Sequence, residues 1–526
     1  MGNYLNPDNI DFRRALNSEI YVDKSELIKQ TNKILDTENR FVCVSRPRRF
    51  GKSMAANMLT AYYSRGCDSK EMFSPLKIAA SENFEKHLNK YNVIHINIVE
   101  FSSINTMTDL IKNIEKTLLF DLTDEFSELR FFDETNLVRT LQDIYVKTKV
   151  PFVFIIDEWD CIFRMKRFTL DDQTEYLNFL RNLLKDKSYV ALAYMTGILP
   201  IKKYGEHSAL NMFTEISVID ADIYAEYTGF TDDEVAAVCE KYGASYDKLK
   251  QWYDGYCVEG ISIYNPRSVV ESIRAKKVSN YWTKTETYEA LKVYIQADFD
   301  GLHDKVTRMI AGDRIEINTA KFQNDMTTLE SADDILTLLV HLGYLTFEGF
   351  GENALGRGLV WIPNAEVQQE FINCIEDKGW EPVMKAIRAS DELIQNVLDG
   401  EEEKVAGGVE VCHEDNTSIL QYNDENSLSC VISLAFYSAR KYYKMIREMP
   451  TGKGFADIVL LPYHDVNKPA MVIELKHDKS VDTAIKQIKE KRYTGALAGY
   501  SDEIILVGIS YDDSKGHECV IEKYKQ

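Results

Sequence analysis

The sequence lacks the features of secreted and membrane-spanning proteins. No apolar run approaches the ~20 residues that a membrane span needs, and the first residues are polar without a signal-peptide pattern. A net charge of −21 argues against a nonspecific coat on nucleic acid, so such binding would need a local basic surface. We therefore expect a cytoplasmic protein that does not contact a membrane.

Paired cysteines and repeats are also missing. The nine cysteines are dispersed and include no Cys-x-x-Cys spacing, which predicts reduced thiols and argues against a zinc site. No internal repeat or low-complexity tract is present. At 526 residues the chain is too long for one core, so we expect roughly two to four domains.

A phosphate-binding loop is indicated at Arg46–Ser53, between an apolar run at 41–44 and a helix-prone run at 54–59. This strand, loop and helix order is the context of the motif G-x-x-x-x-G-K-[ST], although Arg46 replaces its first glycine. After Gly51, Lys52 would reach the β- and γ-phosphates of ATP, and Ser53 would bind Mg²⁺. The alternative is a basic surface turn.

Two acids follow a second apolar run, Pro151–Ile156. Such runs are typical of strands buried on both faces of a parallel sheet, where ligands bind at the carboxyl ends. Asp157 would hold Mg²⁺ through water, and Glu158 would polarise the attacking water. Thr196, at the end of a third apolar run, is either a sensor of the γ-phosphate or part of a strand-ending turn.

The distribution of apolar runs predicts the fold class and domain boundaries. Apolar strands alternate with amphipathic helices to about residue 220, which indicates an α/β parallel sheet with crossover helices. A helix followed by a two-stranded hairpin at 333–362 indicates a winged-helix unit. We expect a P-loop domain at 1–228, a helical and winged-helix domain at 229–385, and a C-terminal α/β domain at 386–526.

The C-terminal region contains a second group of charged residues within apolar strands. Asp457 lies in the run 455–461, and Glu474 and Lys476 lie in the run 470–476. The polar turn between the runs predicts a hairpin, and residues two apart in a strand share a face. Asp457 and Glu474 would bind Mg²⁺, and Lys476 would position or activate water. A structural ion pair between Glu474 and Lys476 is the alternative.

Two further residues extend this candidate site. Gln487, on a basic helix, could reach the water or the metal, while Lys486, Lys489 and Arg492 could face a nucleic-acid backbone. Glu425 either caps a helix or supplies a further acidic metal contact.

The chain resembles prokaryotic AAA-ATPase-like proteins that carry a C-terminal PD-(D/E)XK nuclease-type domain. The resemblance rests on motifs distributed over nearly the whole length: Tyr21–Lys24, Arg46–Ser53, Trp252–Tyr256, Tyr264–Pro266, Ile362–Asn364, Gly452–Gly454 and Gln487–Tyr493. An arginine-rich loop without its first glycine is usual in this family. The resemblance therefore implies nucleotide binding by the loop that contains Arg46, Arg48 and Arg49.

The same resemblance implies nuclease-type roles in the C-terminal domain. It implies metal binding by Asp457 and Glu474, catalysis by Lys476, and the role of the helix acid for Glu425. The sequence departs from a common pattern, because no basic residue stands just before Asp457.

Together these patterns predict an ATP-binding and ATP-hydrolysing protein with a Mg²⁺-dependent nuclease domain that acts on DNA or RNA. One alternative is a nucleotide-dependent switch whose C-terminal domain binds without cleaving; another is a scaffold in which neither site is active. Homo-oligomerisation is compatible with Lys202 and Lys203, which either reach a phosphate on a neighbouring subunit or lie in an exposed loop.

Overall fold

A computed structural model describes most of the chain. The described residues are 2–165, 167–201, 210–282, 289–295, 300–323, 329, 331–351, 354–376, 380–416, 425–451, 454–463, 466–491, 493, 497, 501, 503–512 and 514–525. The chain divides into two compact units: unit 1 is Met1–Thr287 with Glu316–Val367, and unit 2 is Tyr288–Ile315 with Gln368–Gln526. The three-domain division at residues 228 and 385 stays a prediction.

Unit 1 is built on a five-stranded sheet with the order β2-β3-β4-β1-β5, in which all neighbouring strands are parallel. Its strands are β1 Phe41–Ser45, β2 Asn92–Asn97, β3 Phe152–Asp157, β4 Val190–Gly197 and β5 Thr214–Ile216. Every residue of β1, β3 and β4 is buried, as expected for strands covered on both faces. The predicted parallel α/β fold is confirmed.

Helices connect these strands and continue beyond the sheet. In unit 1 they are α1 Ile10–Leu16, α2 Leu27–Ile34, α3 Lys52–Tyr63, α4 Lys70–Phe73, α5 Phe84–His87, α6 Met107–Glu125, α7 Leu137–Thr148, α8 Leu170–Leu184, α9 Asp232–Tyr242, α10 Tyr246–Tyr253 and α11 Pro266–Ala275. Thr231 and Glu234 form a capping box at the start of α9.

Two small sheets complete unit 1. Their strands are β6 Phe230–Thr231, β7 Tyr256–Val258 and β8 Ile261–Tyr264 in one sheet, and β9 Ile315–Asn318, β10 Thr346–Gly349 and β11 Arg357–Trp361 in the other. Helix α14, Ala332–Leu342, precedes the antiparallel pair β10–β11, as the sequence predicted for 333–362. Tyr253 and Tyr264 are fully buried in one core cluster, so the sequence motifs 252–256 and 264–266 both contribute to the core.

A glycine brings two of the sequence motifs into contact. Gly255 has φ +115°, and a Cβ at this position would lie 1.9 Å from the carbonyl oxygen of Pro363. Relief of such a clash would require the backbone to move, because the contact is with a main-chain atom. The segments 252–256 and 362–364 therefore depend on each other.

We expect Gly255→Ala to destabilise the protein by about 3 kcal/mol or more, through strain and displacement of the Pro363 backbone. Gly260→Ala is the matched control, because Gly260 also has positive φ (+74°) but no atom lies within 4 Å of its Cβ position. The free energy of unfolding of that control should fall by only about 1–2 kcal/mol. Thermal unfolding midpoints measure both changes, and equal midpoints for the two variants would contradict this account of Gly255.

Unit 2 contains a mixed sheet with the order β12-β13-β14-β15-β16. Its strands are β12 Tyr443–Thr451, β13 Gly454–Pro462, β14 Ala470–His477, β15 Glu503–Asp512 and β16 Gly516–Lys525. Only the β14–β15 pair is parallel. The predicted hairpin is therefore present as the antiparallel pair β13–β14.

The helices of unit 2 lie outside this sheet. They are α12 Glu289–Ile295, α13 Leu302–Ala311, α16 Glu381–Asp399, α17 Glu402–Asn416, α18 Glu425–Ala435 and α19 Val481–Glu490, and α15 Ala365–Glu376 crosses the sequence boundary between the units. Ile485 and Ile488 of α19 share a core cluster with Val472 and Leu506, so α19 covers one face of the sheet. No helix in the described ranges is both long enough and apolar enough to cross a bilayer.

Candidate active sites

The predicted phosphate-binding loop connects β1 to α3. Gly51 immediately precedes α3 in a left-handed conformation, φ +88°, which glycine adopts without steric penalty. Lys52 is buried, and its Nζ donates to the carbonyl oxygens of Arg46 and Pro47, 3.0 Å each. The lysine side chain therefore curls over the loop at a helix N-terminus, where backbone N–H groups favour an anion.

The three loop arginines occupy different environments. The buried Arg46 guanidinium donates to Thr228 Oγ1 at 2.9 Å and to the carbonyl oxygens of Ser45 and Ile216. Its side chain therefore ties the loop to the sheet. Arg48 and Arg49 are exposed at the cavity described below. The location of Arg46 in the protein interior disagrees with direct side-chain contact to a nucleotide.

Asp157 and Thr196 lie side by side at the carboxyl ends of β3 and β4. Both are buried, and Thr196 Oγ1 donates to Asp157 Oδ1. The Glu158 backbone N–H donates to the same carboxylate oxygen at 3.1 Å. Since β4 lies between β3 and β1 in the sheet, these residues stand beside the strand that leads into the loop. Thr196 orients Asp157 here.

Glu158 forms an ion pair that the sequence did not predict. Its carboxylate accepts from Arg164 Nη2, and Arg164 Nε lies 3.3 Å from the buried Asp160. Burial lowers the pKa of Lys52, while the charges of Glu158, Asp160 and Asp157 act in the opposite direction. Arg164 therefore offsets the negative charge of Glu158 and Asp160, the same carboxylates that act on the pKa of Lys52.

A cavity of about 1010 Å³ opens beside the loop. Arg48, Arg49 and Gly51–Met54 line it together with Glu158 and Arg164. Apolar side chains cover another part: Phe12, Ile20, Val22, Met54, Met58, Phe230 and Val270. The cavity therefore combines an apolar wall with a group of charged side chains, an arrangement that suits a charged cofactor.

The acids predicted in the C-terminal region are adjacent. The antiparallel register, in which Ile458 pairs with Ile473, places Asp457 opposite Glu474. Asp457 Oδ2 accepts from the backbone N–H of Leu475 at 2.7 Å. Burial, followed by the charge of Asp457, raises the pKa of Glu474 to about 7. Two acids thus share one desolvated site.

Lys476 and Gln487 converge on one oxygen of Glu474. Lys476 Nζ donates to Glu474 Oε1 at 2.9 Å, and Gln487 Nε2 donates to the same atom. The other oxygen, Oε2, is buried without a hydrogen-bond partner in the described part of the chain. The set therefore presents an unsatisfied carboxylate oxygen beside a second acid and a lysine. The Glu425 side chain lies outside the described residues, as do Arg492, Lys202 and Lys203.

Comparison with protein families assigns both regions. Residues 11–205 match a family model described as a predicted AAA-ATPase, and residues 423–523 match that of the PD-(D/E)XK nuclease superfamily. The chain carries an AAA-ATPase-like domain and a PD-(D/E)XK nuclease-like domain. The domain types expected from the sequence motifs are thereby confirmed.

The individual proteins that match this chain share low sequence identity with it. A protein of Azotobacter chroococcum mcd 1, described as an uncharacterized protein in the vnfD 5' region, is 25% identical over 285 residues, 51% of each chain. The present chain thus spans about half the length of the curated relative it matches. A Walker-type ATPase of Pyrococcus abyssi is 14% identical over 66% of this chain and 94% of its own, with TM-score 0.35. The Aeropyrum pernix ORC2 protein is 12% identical over 69% and 98%, with TM-score 0.31.

Two arginines of α11 line the cavity of the AAA-ATPase-like domain and were missed by the sequence analysis. Arg267 and Arg274 lie on this helix, and Asn265 caps it by accepting from the backbone N–H of Arg267 at 3.0 Å. The Asn-Pro-Arg sequence could have indicated the helix start, because asparagine followed by proline is typical of that position. It did not indicate that α11 lines the same cavity as the phosphate-binding loop.

The nuclease-like domain also has a cleft beside Gln487. It measures about 400 Å³ and is lined by Thr483, Lys486, Gln487, Glu490 and Lys491. Lys486 lies 3.7 Å from Glu490, so part of its charge is locally balanced. The cleft therefore places two lysines and one glutamate beside Gln487.

Proposed function

We propose that this chain binds and hydrolyses ATP with Mg²⁺ in its AAA-ATPase-like domain, and that its PD-(D/E)XK domain is a Mg²⁺-dependent nuclease acting on DNA or RNA. The main support is the pairing of acids with a buried lysine in each domain. Lys52 lies beside Asp157 and Glu158 in one, and Lys476 lies beside Asp457 and Glu474 in the other.

In the first domain, each group has a proposed role in phosphoryl transfer. Lys52 exchanges its two loop carbonyl partners for phosphate oxygens, and Arg48 and Arg49 offset phosphate charge from the cavity wall. Glu158 leaves Arg164 and accepts a hydrogen bond from the attacking water. Arg164 keeps its contact with Asp160, and its Nη2 group then faces the phosphate chain. The apolar wall of the cavity suits a nucleobase.

The residues of both sites fit a divalent cation. Ser53 and Asp157 would hold Mg²⁺ in the first domain. In the second, the unsatisfied Glu474 Oε2 and the neighbouring Asp457 offer the hard oxygen atoms that Mg²⁺ prefers. Bound Mg²⁺ would supply charge stabilisation for phosphoryl and phosphodiester oxygens.

In the nuclease-like domain, Lys476 holds or activates the attacking water and stabilises charge on the phosphate. Gln487 keeps the Glu474 carboxylate in one orientation. Lys486 and Lys491 along the adjacent cleft contact the backbone of the nucleic acid.

Glu158→Gln tests the ATPase assignment. The amide keeps the size of the side chain but cannot accept a proton, so ATP should still bind while turnover falls by about 10²–10³-fold, the size of effect seen when a positioned group is lost. Phosphate release and ATP binding measured on the same preparations check this. Glu175→Gln, on the exposed side of α8, is the control. Unchanged turnover in Glu158→Gln would show that another residue acts on the water.

The raised pKa of Glu474 predicts pH-dependent cation binding. Below pH 7 this carboxyl group is protonated and must lose its proton before a cation binds, so affinity should rise with pH through about 7 and then level off. A group with a pKa of about 7 implies about tenfold weaker binding at pH 6 than at pH 8. Calorimetry with Mg²⁺ in the absence of nucleotide measures this, and Glu474→Gln should remove the dependence. Equal cation affinities at pH 6 and pH 8 would contradict a raised pKa of Glu474.

One observation favours a second function, a nucleotide-dependent switch whose C-terminal domain does not cleave. The bond between Lys476 and Glu474 satisfies each charge without a metal, as in a structural ion pair. Cleavage assays with wild type and Glu474→Ala separate the two functions.

A further inference from the structure

A second cluster of metal-binding side chains lies in unit 2, away from the nuclease-like site. Glu410 and His413 lie on α17, and His517 lies on β16. One ligand atom from each residue lies within 4.8 Å of the others. Glutamate and histidine three residues apart on a helix share a face, and the same spacing supplies ligands in metal-binding helical bundles.

The contacts within this cluster leave a buried polar atom unsatisfied. The His517 side chain is fully buried, and its Nδ1 atom lies 2.5 Å from Glu410 Oε2. The His517 backbone N–H donates to the same oxygen at 2.8 Å. The other ring nitrogen, Nε2, is buried without a hydrogen-bond partner within the described ranges. Burial of a ring nitrogen in this state is unfavourable unless another group, such as a metal, compensates.

Gly516 and the ring of Tyr511 enclose the space between Glu410, His413 and His517. Gly516 has φ +76°, and a Cβ there would lie 3.0 Å from Glu410 Oε2, so glycine leaves room for the carboxylate. The ring of Tyr511 lies 4.8 Å from that of His413 and 4.8 Å from that of His517, between ring centres. An aromatic wall of this kind limits access of water to the ligands.

We propose that Glu410, His413 and His517 bind one divalent transition-metal ion of the Zn²⁺ class. Two imidazoles and a carboxylate form a ligand set that Zn²⁺ accepts and that Mg²⁺, which requires oxygen ligands, does not favour. Zinc ligands at about 2.0–2.2 Å from the ion lie about 3.4 Å apart in a tetrahedron. Adjustments of about 1 Å, within reach of side-chain rotation, therefore suffice. The dispersed cysteines argued against a zinc site, and this one uses none of them.

This site is distinct from the proposed nuclease site because it lies on the other face of the sheet. Glu474 is two residues from Val472, which packs with α19, so both side chains point to that face. Leu506 of β15 belongs to the same cluster. Tyr511 follows it by five residues on that strand, so its side chain points to the opposite face. His517 of β16 is the antiparallel partner of Tyr511 and shares that face. A metal there would join α17 to the β15–β16 hairpin.

Zinc titration of the full chain tests the proposal. The metal-free protein is titrated with Zn²⁺ against a chromophoric chelator, with a large excess of Mg²⁺ to occupy the oxygen-ligand sites. We expect one tightly bound equivalent of Zn²⁺ in the wild type, and its loss in His517→Gln and in Glu410→Gln. His341→Gln is the matched control, since it removes a buried histidine of unit 1 and should keep that equivalent. Glu410 is partly exposed, so its variant remains informative where the buried His517 change impairs folding.

Substitution with Co²⁺ identifies the ligands. Binding at this site should produce visible d–d absorption without the thiolate charge-transfer bands of cysteine ligation, and a rise in the thermal midpoint that both variants lose. Thiolate bands, no bound equivalent in the wild type, or full retention of the equivalent in both variants would overturn the proposal.

Discussion

Lys52→Ala should reduce ATP affinity by about 10²–10³-fold. Lys52 is buried at the start of α3 and curls over the loop, where a bound phosphate chain would lie. Loss of two charge-assisted hydrogen bonds of about 1.5–2 kcal/mol each removes about 3–4 kcal/mol of binding free energy. That loss corresponds to the stated range at 1.4 kcal/mol per factor of ten. Calorimetry with ATP and Mg²⁺ measures the affinity directly.

The control for this variant is Lys29→Ala, which removes an exposed lysine of α2 and should leave affinity unchanged. Because Lys52→Ala also frees two loop carbonyls, its circular dichroism and melting curve must match the wild type. Wild-type binding that depends on Lys52 excludes the scaffold in which neither site is active. Full affinity in Lys52→Ala would refute the assignment of this loop.

Glu474→Ala should abolish cleavage of nucleic acid in the presence of Mg²⁺ or Mn²⁺, with a loss of about 10²–10³-fold or more. The variant removes the oxygen left unsatisfied beside Asp457 and also deprives Lys476 of its partner. Incubation of purified protein with single- and double-stranded DNA and with RNA, followed by separation of the products, measures the effect. Such an assay also reveals which nucleic acid is the substrate.

Two further variants make this result specific. Glu474→Gln keeps a hydrogen-bond acceptor for Lys476 while removing the charge, so it should fold like the wild type and still fail to cleave. Glu392→Ala, which removes an exposed acid of α16, should cleave normally. Wild-type cleavage no greater than that of Glu474→Ala would favour the nucleotide-dependent switch.

Local sequence patterns predicted the main elements of both candidate sites. The three apolar runs predicted β1, β3 and β4, because strands buried on both faces admit few polar residues. The turn between Pro462 and Pro469 predicted the β13–β14 pair, and alternation of side chains then placed Asp457 close to Glu474 and Lys476. In each case the information lies within a few residues of the element that it describes.

Local patterns predicted the loop that contains Arg46 but not the contacts of the Arg46 side chain. Its partner Thr228 is 182 positions away in the sequence, and no local pattern connects the two residues. A motif specifies the backbone path of a loop, whereas the direction of a long side chain depends on which distant groups can satisfy its charge.

The amino-acid sequence was sufficient to predict the parallel sheet, the phosphate-binding loop and the acidic hairpin, because periodicity and turn chemistry act over short distances. Only the tertiary structure placed Arg267 and Arg274 at the cavity, paired Arg164 with Glu158, and joined Glu410 to His517 across 107 positions. Such contacts arise when packed layers bring remote segments together, and burial then selects the pairs that satisfy one another's charge and hydrogen bonds.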